Sequence, residues 1–177
     1  MNAFEKIFNS YTWEAFRLET LPEYRIDEEW INFQNYRATG ALVQDADLKH
    51  YLEQVSNDSK NGKRHIRARS FQIPPSEYLR FETQIGYLPQ SQHGCEFAFI
   101  EQANLEKLCK EITESDSLRD FWLFDETHLF FINYNSQGEF QGIVQETDPV
   151  ITESSIRLKN QILRDGKPLD AFLRLIK

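Results

Sequence analysis

The stretch Asp120-Phe121-Trp122-Leu123-Phe124-Asp125-Glu126-Thr127-His128-Leu129-Phe130-Phe131-Ile132 decides the fold. Two short apolar runs, rich in aromatic residues, flank the pair Glu126-Thr127, and each is too short for an ordinary helix. They read as the buried centre of a β-meander. Glu126-Thr127 makes a tight connection although it lacks the Asn-Gly chemistry that hairpins favour. Asn135-Ser136-Gln137-Gly138 is a better hairpin loop, with glycine available where positive φ is required. Three antiparallel strands follow, the last ending near Val144.

Outward from the meander the pattern becomes mixed. On the carboxyl side, Asp148-Pro149 starts a helix that Arg164, Gly166 and Pro168 bring to a stop, and a last short helix carries Leu169, Phe172, Leu173 and Ile176. On the amino side, Glu96 to Ile100 reads as a strand, Leu105 to Ile112 as a helix, and Gly86 to Gly94 as a Gly/Pro-bearing connection. Arg64 to Ile73 is a strand halted by Pro74-Pro75, after which Ser76 caps a helix through Tyr78, Leu79 and Phe81. Asp45 caps a helix with Leu48, Tyr51, Leu52 and Val55 on one face, and Asp27 caps another that ends near Gly40. Ala3 to Phe8 is a short helix. Ala15 to Thr20 stays open between helix and strand; as a strand it places Arg17 and Glu19 on one face. The expected fold is α+β over residues 1–177 as a single domain, a mainly antiparallel sheet with a C-terminal three-stranded meander and helices packed against it.

Composition bounds the function. The 177 residues are 40% hydrophobic and 14% aromatic, enough to bury a core without staples. There is no apolar stretch near ~18 residues and no basic-then-hydrophobic leader, so a cytoplasmic protein without a membrane partner is expected. Cys95 and Cys109 are expected to be reduced thiols. A net charge of −8 argues against a broad nucleic-acid footprint. The charge is uneven, however: Ser59 to Ser76 holds no acid but does hold Lys60, Lys63, Arg64, His65, Arg67 and Arg69.

Within that strip, strand alternation puts His65, Arg67 and Arg69 on one face. Two guanidiniums ~7 Å apart on a sheet face grip a phosphate or carboxylate through forked hydrogen bonds. A solvated strand face paired with surplus acids is the commoner setting. Arg80 is expected to pair with Glu19, and Tyr78 shares a helix face with Glu82. If Arg17, Arg67, Arg80, Glu19 and Glu82 instead converge, they form a polar pocket for a small charged ligand. Asp120 and Asp125 point to opposite faces, which rejects an acid/base pair and leaves them to meet water, turn amides or an arginine. His93, Cys95, Cys109 and His128 lack the spacing of a zinc site, and phosphate-loop and nucleophile-elbow signatures are absent. No metal and no cofactor is implied.

Four motifs in order, Glu14-Ala15-Phe16-Arg17-Leu18-Glu19-Thr20-Leu21-Pro22-Glu23-Tyr24, Arg67-Ala68-Arg69, Tyr78-Leu79-Arg80-Phe81-Glu82 and Asp120-Phe121-Trp122-Leu123-Phe124-Asp125, resemble the bacterial DUF6879 family. The resemblance runs over residues 4 to 172 and departs at Gly94-Cys95-Glu96-Phe97, where relatives tend to read Gly-Glu-Asp-Ile. It implies proximity to helix-turn-helix regulators and no established chemistry. The expected function is therefore a cytosolic regulatory or interaction module that binds a protein partner, such as a helix-turn-helix regulator, or a small anionic ligand, without turnover. Arg17, Arg67, Arg69, Arg80 and Tyr78 are the candidate ligand-binding residues. The alternative is an enzyme acting on a phosphorylated or nucleotide substrate, with the arginines as anion site and Glu19 or Glu82 as general base.

Overall fold

Residues 14–19 form a strand because their alternate side chains meet two different environments, Phe16 and Leu18 an apolar layer, Arg17 and Glu19 a polar one. In the computed structural model, which describes residues 2–113 and 118–176, this strand β1 (Glu14–Glu19) lies at the centre of a six-stranded sheet. Its companions are β2 (Arg64–Phe71), β3 (Cys95–Glu101), β4 (Asp120–Phe124), β5 (His128–Tyr134) and β6 (Phe140–Glu146), in the order β3-β2-β1-β4-β5-β6. The expected meander is present as β4, β5 and β6, antiparallel throughout.

The sheet is mixed, which corrects the expectation of a mainly antiparallel one. β1, β2 and β3 run parallel, and β1 joins the meander by pairing antiparallel with β4. The connections enforce this. Helices α2 (Asp27–Thr39) and α3 (Ala46–Lys60) carry the chain from β1 to β2, long enough to return it to the starting end of the sheet. From β2 to β3 the return is made by α4 (Glu77–Glu82), a π-helical turn (Thr83–Tyr87) and α5 (Leu88–Gln92). The expected loop from Gly86 to Gly94 is thus largely helical. Remaining helices are α1 (Ala3–Phe8), α6 (Gln102–Thr113), α7 (Pro149–Asp165) and α8 (Leu169–Leu175).

Local chemistry fixes most of these ends. Asp45, Ser76 and Asp148 accept from the amides of Leu48, Leu79 and Val150 at 2.8, 3.1 and 2.8 Å, and Gly40 closes α2 in the left-handed region at φ 74°. Helix α2 begins at Asp27 itself, with Ile26 in the cap position that the sequence assigns to Asp27. The β4–β5 turn holds both Asp125 and Glu126 at φ 52°. Asp125 sustains that conformation because its carboxylate accepts from the amides of Thr12, Trp13 and Glu14 at 2.7, 2.9 and 3.1 Å, turn amides of the kind expected for it.

The two faces of the sheet differ. On one, Phe16, Leu18, Ile66, Ala68, Phe121, Leu123, Leu129 and Phe131 pack against α6 and α7 through Leu105, Cys109, Leu158 and Ile162 in one apolar layer. On the other, apolar residues fall into three separate groups. Tyr24, Phe33, Tyr78, Phe81 and Ile85 form one; Phe71, Leu79, Tyr87, Phe99 and Phe172 form another; Tyr11, Ala15, Phe124 and Phe130 gather α1 onto the meander. Between them lies a polar centre.

Phe121 sits in the continuous layer at 2% exposure, whereas Trp122, half-buried, stacks on Phe124 and turns one side to the polar face. Phe121→Ala should therefore cost ~3–5 kcal/mol in urea unfolding, and Trp122→Ala distinctly less. Equal losses would mean that Trp122 is as much a core residue as Phe121.

Candidate functional site

Parallel register between β1 and β2 stands Arg17 beside Arg67 and Glu19 beside Arg69, and across β4 it sets Arg17 opposite Trp122. The expected solvated strand face is instead covered. Arg17, Glu19 and Arg69 are 5%, 3% and 0% exposed beneath α2, α4 and the π-helical turn. Burial on that scale requires each charge to find a partner.

Arg17 donates through Nη2 to Asp120 at 2.9 Å and to the Tyr134 hydroxyl at 3.1 Å, and its guanidinium lies over the Trp122 ring. Asp120 also accepts from the Thr20 amide and hydroxyl at 2.9 and 2.6 Å and from the Tyr24 hydroxyl at 2.7 Å. It is the strand-end carboxylate that meets an arginine. Glu19 accepts from Arg67 and from the Tyr87 hydroxyl, with Arg17 Nε 3.9 Å away. Arg67 further donates to Gln90 at 3.0 Å.

Sequence reasoning brought together more than belongs to the site. Arg69 is spent on structure: it donates to the Leu21 carbonyl, lies over the Tyr24 ring and comes within 3.3 Å of Glu82. Tyr78 is buried and donates to Glu29. Arg80 does not pair with Glu19; one helical turn faces it away, and it donates to the Ile176 carbonyl at 2.8 Å. The basic strip is likewise engaged internally, Lys63 with Asp58 at 3.2 Å and Arg64 with Glu96 and Glu14 at 2.8 and 2.9 Å.

What remains is a pair of adjoining cavities. One, of 340 Å³, is walled by Arg17, Tyr24, Trp122, Ile132, Tyr134 and Phe140. The other, of 430 Å³, opens between α2 and α3 and is edged by Glu28, Asn32, Asp45, Asp47, Tyr51 and Gln90. Ile26, Glu29, Arg67 and Glu82 line both. Glu29 and Tyr134 are among the lining groups that escaped sequence reasoning. Glu29 carried no signal beyond its place in the first turn of α2, whereas strand alternation in β5 already set Tyr134 beside Ile132.

The carboxyls respond to their surroundings in opposite directions. Burial disfavours the Glu19 anion, but the guanidiniums of Arg67, Arg17 and Arg69 override it and hold the group down to about 2. Burial pushes Glu82 up to about 8, with Arg69 pulling against it and Glu19 and Glu29 adding to it. Glu29 is raised as well, chiefly by burial. Among the buried guanidinium nitrogens without a hydrogen-bond partner are Arg17 Nη1, Arg67 Nε and Arg69 Nε, and Glu82 Oε2 makes no hydrogen bond although Arg69 Nη2 lies 3.3 Å from it.

Other chemistries find less support in the geometry. Among the described residues no group of three or more His, Cys, Asp or Glu side chains is placed to hold a metal ion. Cys95 and Cys109 are free and buried, and burial pushes their thiols up to about 12 and about 11. No helix among the described residues is long and apolar enough to cross a membrane. The sequence model of a family described as a domain of unknown function, DUF6879, matches residues 2–174. No curated protein matches the chain.

Glu82 keeps its proton in the folded state up to about pH 8, whereas an unperturbed carboxyl releases it near 4.5. The folded protein therefore holds more protons than the unfolded chain between those values, and stability falls as pH rises through that window. Glu82→Gln removes this contribution. Urea unfolding at several pH values should show the wild-type decline between roughly pH 5 and 8 flattened in the variant, by up to ~1 kcal/mol per pH unit; identical slopes would place Glu82 in water.

Proposed function

The chain belongs to the DUF6879 family, and from that premise we propose that it is a cytoplasmic binding module for a small molecule carrying an anionic group. One observation carries the proposal: Arg17 and Arg67 both line the 340 Å³ cavity, and each keeps a buried guanidinium nitrogen, Arg17 Nη1 and Arg67 Nε, without a hydrogen-bond partner after its internal ion pair is made. A buried donor without an acceptor is costly, by about 1–3 kcal/mol, and a carboxylate or phosphate oxygen in the cavity supplies the missing acceptor. The volume falls within the range typical of small-molecule sites. Reduced, buried cysteines fit a cytoplasmic setting.

Regulation follows from the same placement. The second cavity is framed by α2 and α3, and Ile31, Leu42 and Val43 are exposed on and just after α2. A ligand that draws α2 toward the sheet would alter that apolar surface, which a protein partner such as a helix-turn-helix regulator would read. A bacterial source is part of this proposal.

Turnover of a phosphorylated or nucleotide substrate is the second reading, favoured by Glu82, whose titration near 8 suits general acid–base work beside Arg67. Glu19 is poorly suited as the base, being held to about 2 and engaged by Arg67 and Tyr87. Glu28, Glu29, Asp45 and Asp47 around the second cavity also oppose a polyanionic substrate. Binding is the better supported of the two.

Benzoate, inorganic phosphate and adenosine monophosphate are suitable probes. At saturating concentration at least one should raise the unfolding temperature, and Arg67→Gln should weaken it tenfold or more in calorimetry. Failure of all three at 10 mM on the order of a hundredfold above protein would remove the proposal, and release of product from the phosphoester, abolished by Arg67→Ala, would replace it with the enzymatic one.

A further inference from the structure

The 340 Å³ cavity offers more than a site for negative charge. Its lining includes Arg17 and Glu82, only 5% and 6% exposed; Arg17 Nη1 makes no hydrogen bond, and Glu82 Oε2 makes none either, having only the Arg69 guanidinium beside it at 3.3 Å. Burying either alone is unfavourable, and one molecule bearing both an acceptor and a donor satisfies the two together. Between them the wall is aromatic and apolar, formed by Trp122, Ile132, Tyr134 and Phe140, so the ligand also carries an apolar group. The volume accommodates on the order of ten non-hydrogen atoms, taking ~30 Å³ for each as for a water.

Charge narrows the class further. Glu29 lies on the wall common to both cavities, and Glu28, Asp45 and Asp47 edge the adjoining one. That surrounding repels a ligand of high negative charge and favours one whose anionic group is accompanied by a positive one. We propose that this cavity takes a small zwitterion of the amino-acid type, its carboxylate on Arg17, its ammonium against Glu82 and its apolar side group against Trp122 and Tyr134. The proposal rests on the anion-binding reading of the same site and names its ligand class.

The arrangement carries a proton signature. In the free protein Glu82 faces Arg67 and Arg69 of β2, Glu19 of β1, Glu29 of α2, Tyr78 of α4 and Tyr87 of the π-helical turn, and is protonated at neutral pH. An ammonium in contact favours the carboxylate, so the carboxyl ionises and its proton passes to buffer. Binding near pH 7 thus releases up to one proton.

Titration calorimetry of the full chain at pH 7, repeated in two buffers of different ionisation enthalpy, tests this with L-phenylalanine, N-acetyl-L-phenylalanine, L-phenylalaninamide and glycyl-L-phenylalanine. L-phenylalanine should bind at least tenfold more tightly than the acetylated and amidated analogues, each lacking one charge, with proton release. Glu82→Gln keeps the neutral shape of the free side chain; it should bind L-phenylalanine no more tightly than N-acetyl-L-phenylalanine and release no proton. Tighter binding of glycyl-L-phenylalanine than of the free amino acid supports the zwitterion and makes a peptide its source. Equal affinity for L-phenylalanine and its acetyl derivative overturns the zwitterion while leaving the anion site intact. Absence of binding by every carboxylate in the series overturns both.

Discussion

Arginine does not surrender its proton inside a protein, and that constraint organises the polar face of the sheet. Three guanidiniums, Arg17, Arg67 and Arg69, arise from neighbouring positions of β1 and β2 and are covered by helices. Their charge is fixed, so the acidic groups around them adjust. Asp120 and Glu19 take the closest places and are hydrogen-bonded by Arg17 and Arg67. Glu82 and Glu29, buried close to the same charges and to one another, are left with less compensation and shift toward the protonated form. The result is a centre with strong donors, carboxylates paired to them at Asp120 and Glu19, and two further carboxyls, Glu82 and Glu29, shifted upward.

Such a centre is tolerable only because stability is secured elsewhere. The opposite face buries one continuous apolar layer from β1 to β5 against α6 and α7, with the Arg119 guanidinium over Phe131 and the Lys159–Glu14 pair beside it. The polar face has three apolar groups around its centre: one ties down α2, a second ties down α8, both share α4 and the π-helical turn, and the third ties down α1. Parallel crossovers made of helices are what place α2 and α3 over the centre at all. With an antiparallel connection between β1 and β2 a short turn would have sufficed, leaving Arg17 and Arg67 open to water.

The meander was legible because aromatic alternation and turn residues agree from Asp120 to Val144, and the caps at Asp45, Ser76 and Asp148 were legible because each side chain has one nearby amide to satisfy. The parallel half was not. Ala15 to Thr20 contains a buried ion pair on one face, so its alternation of apolar with charged residues looks like a surface strand or a helix. Gly86 and Pro89 suggested a loop where Pro89 sits in the first turn of α5 and Gly86 belongs to the π-helical turn. Pairing of Arg67 with Glu19 and of Arg17 with Asp120 depends on strand register, which a single sequence does not state. Arg80 was assigned to that group because charge alone does not report the direction in which a helix presents it.

A second ion network in the same molecule, buried at Lys159 and Glu14 and exposed at Arg64 and Glu96, contrasts with the first. Lys159, 2% exposed, meets Glu14 and Glu126 and lies near the Trp13 ring, while Arg64 donates from Nε and Nη2 to Glu96 and from Nη1 to Glu14. Every nitrogen of those two cations has a partner, as expected when a network exists to join α7, β1, β2 and β3. The network around Arg17 and Arg67 is more deeply buried and richer in carboxyls, yet it leaves guanidinium nitrogens and a carboxyl oxygen without hydrogen bonds, and those of Arg17, Arg67 and Glu82 belong to side chains that line a cavity. Charged side chains of both signs around one space, held there by covering helices, are the arrangement on which the proposed binding function rests.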